Sequence, residues 1–456
     1  MRNLNVWEVV DLRKEYKIIG TTWVFKLKRD YQNNVIEHKA RLCAEGFTQT
    51  PGIDFDKTCT PTGQLNSLRA LIAHACANSL DFHQIDVKSA FLNAPLIETA
   101  IYGLKQAPSA WYTCLKTCLL NIGFIVCKLD PCVFYRKTPD QVWIYVHVDD
   151  MAIFGRKLQS FKEQIDQEFQ IKDLGQADLL LGVKVNQLQD CITLNQQHFI
   201  KSLLHSYGMQ ECKIVSTPLV PNLHLGLAME DGRKSFKAIE VNYCSAISSI
   251  NYLSTATQPN LSFAVSCLSQ YLEEPGIQHW KAFLHVLKYL QGTQDVGLCY
   301  MQNETSGLVV FSDADWGNCH ETQRSNSGFL TQMNGCLIFW KTRKQPSVLI
   351  STAEAEYKSL CNLNSEILWF RQWCQEAEIY QFDSAIVIWE DNQSCISTSN
   401  GNCNLNKKQM KHLDIQLHFF KEEVQSNLIN LQYAPTLDML ADFLTKSVKK
   451  PLHNVP

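Results

Sequence analysis

The chain has 456 residues, 45% of them hydrophobic and 19% charged, and a formal net charge of −3. That composition excludes a disordered polypeptide and gives room for about two to four domains. It also lacks a global basic footprint, so contact with a phosphate backbone would have to come from local patches. The eighteen cysteines show no paired CxxC spacing. They fit a reduced intracellular compartment, with Cys as a small core residue, better than zinc or disulfides. No apolar run reaches membrane-spanning length and the N-terminus lacks a signal-peptide pattern, so the expectation is a soluble chain without a membrane partner.

In chain order, Trp23-Val-Phe-Lys-Leu-Lys-Arg29 alternates apolar and basic residues, as a half-buried strand does. Residues 30–34 supply a turn and residues 35–43 the return strand, with Lys39 and Arg41 on one face by the two-residue period. That face is either solvated surface or a clamp for a triphosphate or a template backbone. Residues 65–77 read as an apolar, Ala-rich helix leading into Phe82-His-Gln-Ile-Asp-Val-Lys-Ser-Ala-Phe-Leu92, where Asp86 sits between Ile85 and Val87. A helix follows at 111–121. Then comes Trp143-Ile-Tyr-Val-His-Val-Asp-Asp-Met-Ala-Ile-Phe-Gly155, which reads as a hairpin with Asp149 and Asp150 at its tip.

Adjacent acids at a reversal are ordinarily solvated turn residues. Here bulky apolar walls on both sides would make unpaired carboxylates costly unless they hold a cation. Asp86 could meet them across neighbouring strands. Three such acids suit Mg²⁺, and two ions roughly 4 Å apart would clamp an in-line phosphoryl transfer.

Further along, an amphipathic helix is expected at 161–169, a strand at 179–185 and a helix at 196–208. A polar linker should run from 217 to about 236, and helices should fill 243–272 and 279–291, punctuated by Pro275-Gly276. The last third reads as strands at 308–316, 328–333 and 336–340, then a helix opening at Ser351-Thr-Ala-Glu and reaching about 377. A strand at 385–392 and a short helix at 437–445 close it. The result is a mixed α/β layer with an acid on each of four elements, able to converge on one sheet edge. Basic runs at 341–345 and 407–412 are either solvated loops or phosphate contacts.

The wording of the first part resembles the reverse transcriptase of copia-type retrotransposons. The strings that carry it are Lys39-Ala-Arg-Leu, Gly46-Phe-Thr-Gln, Asp86-Val-Lys-Ser-Ala-Phe-Leu-Asn93, Tyr102-Gly-Leu-Lys-Gln-Ala-Pro108, Asp130-Pro-Cys-Val-Phe-Tyr135 and Val148-Asp-Asp150. The resemblance implies a fingers-palm reverse transcriptase domain at 1–155, with Asp86, Asp149 and Asp150 as catalytic metal ligands. Phe91 would act as an aromatic gate against a 2′-hydroxyl, and Gln106 with the Lys39/Arg41 face would touch the incoming nucleotide. The chain departs from the family in three ways: His147 stands where Tyr is usual, Ser109 where a basic residue is usual, and a family segment is missing near 94–101. Those departures imply a defective polymerase.

Residues 156–300 resemble the palm end and the thumb or connection, through strings such as Asn251-Tyr-Leu and Leu287-Lys-Tyr-Leu-Gln-Gly-Thr293. Residues 306–446 resemble an RNase H domain, through Ser312-Asp-Ala-Asp-Trp-Gly317, Ser351-Thr-Ala-Glu-Ala-Glu-Tyr357, Asp391-Asn-Gln-Ser394 and Leu440-Ala-Asp-Phe-Leu-Thr-Lys446. Its catalytic metal acids would be Asp313, Glu356, Asp391 and Asp442, with Asp315, Glu354, Glu390 and Asp438 as neighbours that could be mistaken for them. Residues 447–456 would be a clipped tail.

The resemblance implies the polymerase and nuclease portion of a longer polyprotein, using Mg²⁺ or Mn²⁺. Its partners would be an RNA template, a DNA primer, dNTPs and an RNA–DNA hybrid. It would work inside the cell, in a cytoplasmic virus-like particle or the nucleus, and no sequence signal marks its oligomeric state. Two alternatives stay open: an RNase H-only nuclease, or a non-catalytic nucleic-acid-binding remnant.

Overall fold

A computed structural model describes residues 18–29, 35–56, 58–94, 101–302, 307–317, 321–349, 351–400 and 414–447. The expected turn at 30–34, the short segment at 95–100, the basic run at 407–412 and the tail from 448 onward lie outside the described residues. The chain forms two compact units, one of residues 1–68 and 79–180, the other of residues 69–78 and 181–456.

The first unit begins with the antiparallel pair β1 (Thr21–Arg29) and β2 (Val35–Ala44), whose register sets Val24 opposite Arg41 and Lys26 opposite Lys39. The alternation therefore gathers Lys26, Lys39 and Arg41 on one face, as expected, and leaves Trp23 and Phe25 on the other. Helix α1 (Leu65–Ala77) follows, counted with the second unit from Arg69 onward. Next come β3 (Asp81–Val87), α2 (Ala107–Asn121), β4 (Ile125–Val126), β5 (Val133–Arg136), β6 (Val142–His147), β7 (Asp150–Gly155), α3 (Gln159–Glu168), β8 (Ile171–Gln176) and β9 (Leu179–Leu180).

Strands β4-β5-β6-β7-β3-β8 make one antiparallel sheet. Trp111, Leu115, Ile144, Ile153, Phe161 and Ile165 share a buried core, so α2 and α3 cover one face of that sheet. Because β8 is hydrogen-bonded to β3, the unit runs past residue 155 and includes α3 and β8.

In the second unit, β10 (Val183–Gln187), β11 (Cys191–Asn195) and β12 (Leu298–Met301) form antiparallel ladders. Between β11 and β12 lie α4 (Gln197–Ser206), α5 (Glu230–Lys237), α6 (Tyr243–Ala256), α7 (Ser262–Leu268) and α8 (Ile277–Gly292), around a core that includes Ile200, Phe236, Ile247, Trp280, Phe283 and Leu287. The sequence pattern differs from this in three places. The strand at 179–185 is split, because Leu181 and Gly182 take left-handed φ of 53° and 76°. The linker holds α5, whose one buried residue, Phe236, is too small an apolar signal to reveal a helix. The 243–272 helix breaks after Ala256, where Pro259 cannot donate the next helical N–H.

The last third contains β13 (Leu308–Asp315), β14 (Asn326–Met333), β15 (Cys336–Lys344), α9 (Thr352–Glu376), β16 (Ile386–Glu390), α10 (Gln393–Ser399), α11 (Asp414–Gln425), β17 (Ile429–Tyr433) and α12 (Asp442–Thr445). The sheet order is β15-β14-β13-β16-β17, with β13, β14 and β15 antiparallel and β16 and β17 joining in parallel. Strand β17, Ile-Asn-Leu-Gln-Tyr, joins the sheet although the sequence reading left it out; its two-residue alternation is a strand signal. The expected helix at 437–445 is a 3₁₀ turn at Thr436–Asp438 followed by the four residues of α12. Among the described residues, no helix is long and apolar enough to cross a membrane.

Candidate active sites

Three acids meet at the end of the mixed sheet. Asp313 lies near the end of β13, Glu356 in the second turn of α9 and Asp391 directly after β16. Each offers an oxygen, and these oxygens all lie within 4.8 Å of one another. The parallel register pairs Phe311 with Trp389, so the two strands deliver Asp313 and Asp391 to the same edge. Helix α9 is started by the Ser351 hydroxyl, which accepts from the Glu354 N–H at 3.2 Å. Two residues further on, and so on a different side of the helix, Glu356 reaches the acids, whereas Glu354 does not join them.

Asp442 opens α12, which lies against β14 at Gly328, the cross-strand partner of Asp313. A Cβ on Gly328 would stand 2.6 Å from the Leu444 Cβ, so only glycine lets α12 approach this closely. That approach lets the Thr445 hydroxyl donate to Asp313 Oδ2. Asp442 itself is outside the 4.8 Å set and pairs with Lys446, its Oδ1 lying 2.9 Å from the ammonium. Asp391 Oδ2 accepts from the Thr436 hydroxyl at 3.0 Å.

Burial raises Asp313, Glu356, Glu390 and Asp442 above the ordinary carboxylate range. Asp313 is pushed up to about 6 by burial, partly offset by Lys446 and Thr445, and raised again by Asp442 and Asp391. Glu356 stands well above the usual carboxylate range through burial and then through Glu390, Asp313 and Asp391. Fully buried Glu390 is raised in the same way by burial, against the Asn392 N–H that lowers it. Both Glu356 Oε2 and Glu390 Oε2 are buried without a hydrogen-bond partner. Crowded, dry and unsatisfied oxygens of this kind fit a divalent cation, whose charge would take the place of protons and of the donors they lack among the described residues.

At the front, Asp86 and Asp150 are Cα partners across β3 and β7, and the Val87 N–H donates to the Asp149 carbonyl at 3.0 Å. The turn between β6 and β7 is Val148-Asp149, with Val148 at φ 60°, a costly conformation for a β-branched residue. The Trp111 indole holds it, donating to the Val148 carbonyl at 2.6 Å. His147 is the cross-strand partner of Asp150. Burial and then the Asp149 and Asp150 charges raise Asp86, while Lys39 and Lys172 pull it down. Among the described residues the front acids do not close into a set like the rear one.

A family model described as Reverse transcriptase (RNA-dependent DNA polymerase) matches residues 4–102 and again 95–221. Over 97% of its length the chain is 31% identical to the retrovirus-related Pol polyprotein from transposon TNT 1-94 of Nicotiana tabacum, of which it covers 36%. It is 30% identical to a transposon Ty5-1 protein of Saccharomyces cerevisiae, over 56% of this chain and 84% of that protein. The chain belongs to the reverse transcriptase family of retrotransposon Pol proteins. It spans about a third of the length of the curated Pol polyproteins that match nearly all of it. Among solved structures it is similar to LC11-RNase H1 in complex with RNA/DNA hybrid, at 13% identity and a TM-score of 0.25, over 30% of this chain and 93% of that one.

Within this reverse transcriptase chain, Lys39 and Arg41 share one hairpin face; the Lys39 charge bears on Asp86, and the Arg41 guanidinium lies 5.3 Å from the Tyr102 ring centroid. Phe91 sits in a 3₁₀ turn at Ala90–Asn93 and packs against the Tyr102 ring, centroids 4.9 Å apart. Gln106 has both ends of its amide engaged: Oε1 accepts from Gln49 Nε2 at 2.9 Å and Nε2 donates to the Asp54 carbonyl at 3.5 Å. Of the run at 341–345, all but Gln345 lies in β15, where Lys341 pairs with Glu366 at 2.6 Å.

Sequence reasoning did not single out Lys446 as a site residue, although it stands inside a quoted motif string. Glu390 was set aside as a neighbour. In β16 positions 386, 388 and 390 are buried, so Glu390 points inward; the uniformly apolar Ile-Val-Ile-Trp run before it gave no sign of which face is inward.

Proposed function

We propose that the chain is a polymerase and RNase H portion of a retrotransposon Pol protein, and that its best-supported activity is cleavage of the RNA strand in an RNA–DNA hybrid. The observation that carries this reading is the Asp313–Glu356–Asp391 cluster within 4.8 Å. Those three acids, with Asp442 on moving off Lys446, would hold Mg²⁺ or Mn²⁺. When bound, the metal supplies an activated water and charge stabilisation for the departing 3′-oxygen.

The protein's own share is to hold the carboxylates. Thr445 fixes Asp313, Thr436 fixes Asp391 and Lys446 balances Asp442 until metal arrives. Hybrid recognition would run through 2′-hydroxyls and minor-groove shape, with basic side chains on phosphates making it sensitive to salt.

A second reading adds RNA-directed DNA synthesis. The pairing of Asp86 with Asp150 beside Asp149 favours it, with the Lys39 charge bearing on Asp86. Its partners would be an RNA template, a DNA primer and dNTPs, inside the cell. The two-piece match of the family model, overlapping at 95–102, supports the loss of a palm segment there and hence a weakened polymerase.

One experiment separates the readings. A hybrid labelled on the RNA strand and a recessed DNA primer on an RNA template are each incubated with purified chain and Mg²⁺. Cleavage without extension supports the nuclease alone, both together support the full reading, and neither overturns it.

A further inference from the structure

We infer that Cys76, Cys191 and Cys299, all in the second unit, form a three-thiolate site for a thiophilic cation such as Zn²⁺ or Cd²⁺. The inference rests on neither activity proposed above.

Spacing along the chain hides the site, because the three thiols come from three distant elements. In the antiparallel ladder of β11 and β12, Cys191 is the Cα partner of Met301 and Thr193 the partner of Cys299. The two-residue period therefore sets Cys191 and Cys299 on one face, diagonally across the Ile192–Tyr300 pair. Their thiols are hydrogen-bonded to each other. Cys76, in the last turn of α1, comes down on the same pair. Its thiol donates to the Tyr300 carbonyl at 3.1 Å and accepts from the Ile192 N–H, and both strand thiols bear on it electrostatically.

A cysteine is often only a small core residue, and buried Cys76 taken alone fits that description. Cys191 and Cys299 do not. The core-facing positions of their strands hold Ile192, Leu194, Leu298 and Tyr300, all buried. The two cysteines lie half-exposed on the other face, beside Thr193 and exposed Met301. Two thiols next to water, backed by a buried third, give a cation both an entry and soft ligands.

Sulfur ligands select Zn²⁺, Cd²⁺ or Cu⁺ over the Mg²⁺ that suits carboxylates. Zn–S bonds of about 2.3 Å place two sulfurs roughly 4 Å apart, close to the reach of a thiol–thiol hydrogen bond. Among the described residues the three sulfurs do not close as tightly as the rear carboxylates. Rotation of the half-exposed Cys191 and Cys299 side chains is the movement that closes them. Each thiol gives its proton to solvent on binding, so affinity rises with pH. An ion held here ties α1 to β11 and β12, the strands between which α4 to α8 are strung, and so stabilises the second unit.

The test is titration of the full-length chain with Cd²⁺ alone, in a phosphine reductant, with Mg²⁺ in excess to compete for carboxylates. A chelator holds free Cd²⁺ low, so that scattered single thiols stay empty. Binding is followed by the ultraviolet charge-transfer absorption of cadmium thiolate. The parent should take up one tight equivalent and melt at a higher temperature with it. Cys191→Ser, Cys299→Ser and Cys76→Ala should each weaken that equivalent by at least about tenfold, the lower bound for losing even an outer-shell partner of a metal, and should lose the rise in melting temperature. Exposed Cys244→Ser should bind like the parent.

An unchanged metal-free melting temperature in the two serine variants excludes misfolding as the cause. If either melts early, Cys191→Ala or Cys299→Ala takes its place and should show the same loss. No tight equivalent in the parent, or parent-like binding by any of the three site variants, overturns the inference.

Discussion

The Lys446 ammonium lies 2.9 Å from Asp442 Oδ1, one helical turn along the chain, and its charge also bears on Asp313. Without a divalent ion it is a counter-ion for the rear acids. Lys446→Gln should lower the melting temperature of the metal-free chain by about 2–4 °C, the size expected for a partly exposed pair in a unit this large. Added Mg²⁺ should then raise it by more than it raises the parent, since no ammonium competes. Equal Mg²⁺-induced rises would contradict this account of Lys446.

Asp313 titrates near 6, above its ordinary 3.8, because burial penalises its charge. Glu356, Glu390 and Asp442 are raised in the same direction. A carboxyl that binds its proton more tightly folded than unfolded adds stability at low pH, and loses that contribution as pH rises through the folded value. The metal-free chain should therefore melt at a lower temperature at about pH 7 than at about pH 5, and Mg²⁺ should cancel most of the loss by replacing the protons. Thermal scans across that range check it, and a melting temperature that climbs with pH in the absence of metal would refute it.

Arg69 is a buried staple within the second unit. Its guanidinium donates to the Ile338, Thr255 and Ala256 carbonyls and lies 4.1 Å from the Trp340 ring centroid. The Trp340 indole donates to the Ser254 carbonyl at 2.9 Å, so the last carbonyls of α6 are capped by Arg69 of α1 and Trp340 of β15. Arg69→Ala should cost about 3 kcal/mol in urea unfolding, through lost charge-assisted bonds and unsatisfied carbonyls. A change below about 1 kcal/mol would show that the staple is not needed.

In the first unit, the buried Lys162 ammonium contacts the Asp173 oxygens at 2.8 and 2.9 Å and His83 Nδ1 at 2.7 Å. Removing the two partners should not cost the same. Lys162→Met frees Asp173, whose side chain is 46% exposed, to turn toward water. Asp173→Asn strands a buried cation and should cost about 3 kcal/mol, clearly more than Lys162→Met. Urea titrations of both variants decide it, and the reverse order would refute the assignment.

The local patterns were legible where periodicity and chemistry coincide. The hairpin face with Lys39 and Arg41, the Asp149-Asp150 tip beside Asp86 and the Ser351 helix start were legible from spacing of two, from turn residues or from capping chemistry. Glu356 could be told from Glu354 only through the neighbouring motif text, because the two differ in where a helix turn carries them. What stayed hidden depends on tertiary contact. Lys446 matters through the acid one turn behind it. Helix α5 was missed because Phe236 is its one buried residue, whereas β17 carried an alternating signal over only five residues.

The most direct test is Mg²⁺-dependent cleavage of a labelled RNA–DNA hybrid by purified chain, parent against Asp391→Asn, with exposed Asp438→Asn as control. Cleavage by the parent and the control, restricted to the RNA strand and abolished in Asp391→Asn, is the predicted result. Equal cleavage by Asp391→Asn, or none by a folded parent, would contradict it.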